Sequence, residues 1–144
     1  MNLAIACDHA GYTTKQELVT YLKGLGHQLT DFGTHSPDSM DYPDTAHPLA
    51  EAVESGKFDF GITICGSGNG INMTANKHQG IRAALCWNTE VAALARQHNN
   101  ANVCSLPARF ISVDFAKQIV AVFLSEGFEG GRHQKRIDKI PLKK

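Results

Sequence analysis

The chain has no excess of charge of either sign: 14 Lys+Arg stand against 14 Asp+Glu in 144 residues. Nucleic acids and anionic membrane surfaces usually select a basic excess, so neither is expected as a partner, and any cationic site must be a local cluster. Long apolar runs are missing as well. No stretch approaches the roughly 18 residues needed to cross a bilayer. The opening MNLAIAC has no basic region and only a few apolar residues, which argues against a secretory signal. Cys7, Cys65, Cys86 and Cys104 show neither CxxC spacing nor the density of a disulfide scaffold. Reduced thiols in a soluble cytoplasmic protein are the expectation. Repeats, low-complexity segments and linkers are absent too, and the length suits one domain over residues 1–144.

What is present is an alternation. Short apolar runs, LAIAC (3–7), HQLTDF (27–32), FGITIC (60–65), IRAALCW (81–87) and NVCSL (102–106), are separated by stretches of helical period. Continuous rather than alternating hydrophobicity suggests strands covered on both faces. Helical stripes run through Leu18, Leu22 and Leu25, through Ala46, Leu49, Ala50 and Val53, through Val91, Leu94 and Ala95, and through Phe115, Ile119 and Val122. Gly26 and Gly56 stand where two of these helices should end. Repeated βα units predict a five-stranded parallel sheet between two helical layers, an α/β/α sandwich of Rossmann-like type.

Ligands of such sheets bind beyond the carboxyl ends of the strands. There the chain carries Asp8-His9, CGSGNGI (65–71) and Arg109, with a long loop from Gly33 to Asp44 containing Tyr42 and a basic tail from about 130 to 144. In CGSGNGI, Gly66, Gly68 and Gly70 alternate with Ser67 and Asn69 just before an expected helix. Successive amides there can cradle an anion, aided by the helix dipole. A dinucleotide fingerprint does not fit, because Ile71 occupies the third glycine position, and no Gly-Lys-Ser/Thr follows for a Walker A loop. Cys65 precedes the turn, beside a helix N-terminus that favours a thiolate. Asp8 can cap a helix or orient hydroxyls. His98 continues the stripe of its helix, so it is either a core residue or, from the last turn, a proton donor reaching the pocket. Arg132 and Arg136, four apart, can share a face and hold a phosphate.

In this order ACDHAG (6–11), DYP (41–43), CGSGNGI (65–71), ANKHQGIRA (75–83), ARQHNNANV (95–103) and GGRHQKRI (130–137) resemble the type B ribose-5-phosphate isomerases, a family that includes isomerases of galactose 6-phosphate and allose 6-phosphate. The resemblance implies an aldose–ketose isomerase with Cys65 as the base that moves a proton between C1 and C2. His98 would open the sugar ring, and Ser67 would move protons between the two oxygens. Asp8, Tyr42 and Asn99 would hold hydroxyls or order these groups. His9, Arg109, Arg132 and Arg136 would bind phosphate, with the amides of residues 66–70 meeting the enediolate. It also implies a small-molecule sugar phosphate as partner, no metal and no other cofactor, and a homodimer, or a tetramer, whose sites combine both subunits. Some relatives place a Glu base where this chain has Ile71, so the cysteine branch is implied. Ribose 5-phosphate is the expected substrate, with a six-carbon sugar phosphate as the alternative. Two other classes compete: a zinc hydrolase using Cys7, His9, Cys65 or His98, and a phosphate-binding module of flavodoxin type.

Overall fold

The computed structural model describes residues 1–143, and Lys144, the last residue of the basic tail, lies outside the described residues. Five strands form one parallel sheet: β1 (Asn2–Cys7), β2 (Gln28–Asp31), β3 (Phe60–Cys65), β4 (Ala83–Leu85) and β5 (Val103–Pro107). Between and after them run α1 (Tyr12–Gly24), α2 (Pro43–Glu54), α3 (Asn69–Ala75), α4 (Thr89–Asn99), α5 (Val113–Ser125) and α6 (Arg132–Ile137). The spatial order is β2-β1-β3-β5-β4.

Because successive side chains of a strand point to opposite faces, β1 divides its residues between two cores. Leu3, Ile5 and Cys7 meet Leu18 and Leu22 of α1 and Ala116, Ile119 and Phe123 of α5. Ala4 and Ala6 meet Leu49, Ala50 and Val53 of α2 and Ala75 of α3. The sheet therefore lies between two helical layers, as the continuous apolar runs predict. Among the described residues no helix is long and apolar enough to cross a membrane.

The order creates a switch point. From β1 the chain crosses to β2 on one side, then returns past β1 to reach β3 on the other. Crossovers of one hand put α1 and α2 on opposite faces, which opens a crevice at the carboxyl ends of β1 and β3. Cys7 pairs with Ile64 there, so Asp8 and Cys65 end adjacent strands.

The helical stripes are realised unevenly. Ala46, Leu49, Ala50 and Val53 are all buried, and Gly26 and Gly56 follow the ends of α1 and α2. Leu25, in contrast, falls after α1 and is exposed. On α5 the buried set is Ala116, Ile119, Val120 and Phe123, with Phe115 and Val122 at its margin. On α4 the stripe of Val91, Leu94, Ala95 and His98 is only partly buried: Ala95 lies in the core with Ala92 and Arg96, while Leu94 is exposed and Val91 and His98 are half-buried. Arg96 is the physical cause. Its guanidinium lies 4.6 Å from the Phe60 ring, and Nη1 donates to the carbonyl of Ala101 (2.7 Å) and to Oδ1 of Asn100 (2.9 Å). Apolar counting passes over such a residue, and its burial turns Leu94 and His98 outward.

Candidate active site

The first βα turn begins with Asp8, whose Oδ1 accepts from the amides of Ala10 (3.0 Å) and Gly11 (3.2 Å). The capping role and a place in the pocket are thus compatible. His9 follows, and its Nδ1 accepts from the Met40 amide at 3.2 Å. A neutral ring so held carries its hydrogen on Nε2, available to a ligand. The same bond ties this turn to the 33–44 loop, which Thr45 anchors through a 3.0 Å bond from its hydroxyl to the Cys7 carbonyl.

At the end of β3, Cys65 is 4% exposed and opens the glycine-rich turn. Two glycines here answer to geometry. Gly68 has φ +78°, and a side chain on it would strike Leu85. Gly70 lies under the ring of Tyr42, leaving no room for a Cβ. The turn therefore brings Tyr42 down onto the start of α3. Arg109 enters from β5: its amide donates to the Gly66 carbonyl (3.0 Å), and that of Ala108 donates to the Cys65 carbonyl (2.9 Å). Pro107-Ala108 thus leads the arginine over the turn.

These elements enclose a cleft of about 390 Å³ lined by Asp8, His9, Tyr42, Cys65, Gly66, Ser67, Gly70 and Arg109. A second space of about 550 Å³, shared with the loop from Ser39 to Asp44, adjoins it. Gly68 and Asn69 complete the turn behind the cleft. The Asn69 amide is already given to Ser67 Oγ (3.2 Å), so it is not one of the donors expected for an oxyanion. Ala10 and Phe110 also line the cleft; neither was expected, and a residue next to an arginine in a strand-end loop is the only signal Phe110 offers.

The remaining expected residues lie elsewhere. A helix that leads into a parallel strand ends at the sheet's amino edge, and α4 ends just before β5. The amide of Asn102 donates to the carbonyl of Arg82, which precedes β4, so this turn sits at the amino edge. Cys65 pairs with Pro107, and Gly61 with Val103. Four residues of strand, roughly 13 Å, thus separate Cys65's end of the sheet from the edge that His98 and Asn99 lie beyond. The expectation that His98 reaches the pocket from its last turn is not met within one chain.

At the amino edge His98 has company. Helix α6 packs on α4. His133 and Ile137 face inward, while Arg132 and Arg136 share the exposed side, four apart as expected. The His98 and His133 rings are stacked, with centroids 4.3 Å apart and planes 11° apart. Glu129 Oε1 lies 3.5 Å from His98 Nε2. Burial foremost, and then the nearby charges of His98 and Arg132, hold His133 below the ordinary histidine value. Glu129 and His133 were not singled out in the sequence; the inward i, i+4 pair His133 and Ile137 is the signal that could have found one of them. By residue type, this trio is also a set that could hold a metal ion, with ligand atoms within 4.8 Å of one another.

The other thiols are core residues. Burial pushes Cys7 up to about 11, against a smaller opposing pull from Lys15. The neighbouring Cys86 thiol, together with full burial, holds Cys104 well above the usual range.

Residues 3–140 match the family described as ribose/galactose isomerase. The chain is 44% identical over 138 residues to ribose-5-phosphate isomerase B of Escherichia coli (strain K12), covering 96% of this chain and 93% of that protein. It superposes on the ribose-5-phosphate isomerase B of Clostridium thermocellum with a TM-score of 0.96 at 48% identity, over 97% of this chain and 95% of that one. The Mycoplasma genitalium ribose-5-phosphate isomerase B, solved with bound ribulose 5-phosphate, gives a TM-score of 0.93 at 47% identity, over 96% of this chain and 93% of that one. With that likeness running through both the cleft and the tail, the chain belongs to the ribose/galactose isomerase family.

Proposed function

We propose that this enzyme is an aldose–ketose isomerase that interconverts ribose 5-phosphate and ribulose 5-phosphate, with Cys65 as its base. The observation that carries the proposal is the convergence of Asp8, His9, Tyr42, Cys65, Ser67 and Arg109 on one cleft at the β1/β3 switch point. A zinc hydrolase would need Cys7, His9, Cys65 or His98 to meet, but Cys7 is buried in the core and His98 lies at the other edge.

The reaction asks for four things. The cyclic sugar opens as a proton from His98 reaches the ring oxygen. The Cys65 thiolate then removes the proton on C2, leaving an enediolate, and returns it to C1. Ser67 carries the hydroxyl proton between the two oxygens, and the amides of Gly66, Ser67 and Gly70 meet the negative charge. His9, Arg109, Arg132 and Arg136 hold the phosphate, so that binding energy aligns the reacting carbons. Asp8, Tyr42 and Asn99 hold hydroxyls. No step asks for a cofactor.

Since His98, Asn99, Arg132 and Arg136 stand a sheet-length from Cys65, we read the working enzyme as a homodimer in which the tail end of one copy completes the cleft of the other. Exposed Phe110 (76%), Met73 (63%) and Trp87 (58%) supply apolar surface for such a partner. The described tail and its arginines then belong to the site. Four free thiols suit a cytoplasmic enzyme.

Kinetics on ribose 5-phosphate, allose 6-phosphate and galactose 6-phosphate, measured side by side, test the assignment. The pentose should have the highest kcat/KM; a hexose phosphate in that place would overturn it.

A further inference from the structure

Glu129 and His133 stand beside His98 and have no role in the steps above. Both are held by the fold. The Glu129 amide donates to the Gln97 carbonyl (3.0 Å), and Gln97 Nε2 donates to Glu126 (2.8 Å), which fastens the segment before α6 to the last turn of α4. His133 is 8% exposed and presses flat on the His98 ring. A shared metal ion is the first use to consider for this trio. The ring geometry argues against it. An imidazole lone pair lies in the ring plane, so two nearly parallel rings aim theirs along parallel planes and not at a common ion.

We infer that Glu129 and His133 are positioning residues for His98: the carboxylate takes the Nε2 hydrogen, and the stacked ring fixes the imidazole plane. Nδ1 is then the nitrogen presented to the sugar. This rests on the reading of His98 as the ring-opening acid. In that step the Nδ1 proton passes to the ring oxygen as the C1–O bond breaks, the anomeric hydroxyl yields its proton to water, and water later reprotonates Nδ1. The charges fit the task. Glu129 offsets the imidazolium that must exist before the proton is given, while Arg132 and Arg136 stand nearby on α6. His133 serves the stack as a neutral ring, because two protonated imidazoles at this distance would repel.

The experiment compares a sugar that must be opened with one that cannot close. Ribose 5-phosphate forms a five-membered ring; D-erythrose 4-phosphate cannot, because its terminal oxygen is esterified. Glu129→Gln should lower kcat on ribose 5-phosphate about fivefold, the upper range for a partly exposed pair, and change turnover of the four-carbon sugar less than about twofold. His133→Ala should show the same selectivity, while His133→Phe, which keeps a flat ring there, should retain activity. In a His98→Asn background, Glu129→Gln should add nothing. Where the four-carbon sugar turns over too slowly, exchange of the C1 hydrogen of ribulose 5-phosphate with solvent deuterium gives the same ring-free readout. If Glu129→Gln fails to fold, Glu129→Asp must show a partial form of the selective loss. Equal losses on both sugars, or none, in the Glu129 and His133 variants while His98→Asn remains selective would overturn the positioning role alone. An unselective His98→Asn would instead remove the acid reading on which it rests.

Discussion

The two ends of the sheet do different work with different materials. At the carboxyl edge, the Cys65 cleft is built from strand ends and a glycine-rich turn, with its groups fixed by backbone bonds such as Arg109 to Gly66 and Ala108 to Cys65. At the amino edge, the His98 cluster is built from the last turn of α4 and a six-residue helix whose arginines point to solvent. The first brings Asp8, His9, Tyr42, Cys65, Ser67 and Arg109 together in one chain. The second has the charges, but the cleft of about 390 Å³ at that edge is lined by Asn99 and Arg82 and not by His98, Arg132 or Arg136. On the proposed reading, chemistry that depends on angstrom placement sits on strands, whereas anchoring and ring opening would come from an edge that a second copy can present.

Removing the base should break this comparison most severely. Cys65→Ala is expected to lose about 10²–10⁴ in turnover, the usual worth of a general acid–base group. Binding of ribulose 5-phosphate, followed by calorimetry, should change little because the residues proposed to hold the phosphate are untouched. Near-normal turnover would show that the proton is taken by another group.

If each working site draws on both edges, two crippled proteins should repair each other. Cys65→Ala and Arg136→Ala enzymes, mixed and allowed to exchange subunits, should form heterodimers in which one of the two sites has both wild-type groups. Activity should then rise well above that of either parent. Proven exchange without recovery, or a monomer at working concentration, would leave the amino edge without a partner. By themselves, Arg132→Ala and Arg136→Ala should each weaken binding of the phosphorylated sugar roughly tenfold, since a charge-assisted bond contributes about 1.5–3 kcal/mol. Unchanged affinity in both would take the tail out of the phosphate site.

The carboxyl edge was far more legible in the sequence than the amino edge, and the reason is physical. Strands covered on both faces read as apolar runs, so FGITIC coincides with β3, and the sheet-edge rule then collects Asp8, His9, Cys65 and Arg109. The runs were less exact at the sheet's margin. IRAALCW shrinks to Ala83–Leu85, because β4 is an edge strand with one neighbour. At the amino edge the pattern misleads in part: Arg96 occupies a core position under Phe60, so Leu94 of the α4 stripe faces out while Ala95 stays buried. Contacts such as Glu129 with His98 join segments 31 residues apart through a short helix with little periodicity of its own. The edge at which His98 stands follows from topology and not from its spacing, since a helix that leads into a parallel strand ends at the amino edge.

The smallest effect concerns pH, and it should separate the two edges by stability rather than rate. His133 is held below its ordinary value of 6.5, chiefly by burial and then by the charge of His98. The folded state therefore binds fewer protons there than the unfolded chain does just below that pH. By linkage, stability rises with pH across this window. The contribution is present in full above the unfolded value and is lost as pH falls through the folded one. His133→Phe keeps the ring and removes the proton site. Its Tm should accordingly fall less than that of the wild type between about pH 7 and pH 5. Ser67→Ala, at the carboxyl edge, should leave the wild-type slope unaltered. Parallel Tm curves for wild type and His133→Phe would mean that burial at α6 does not set the pH response of the fold.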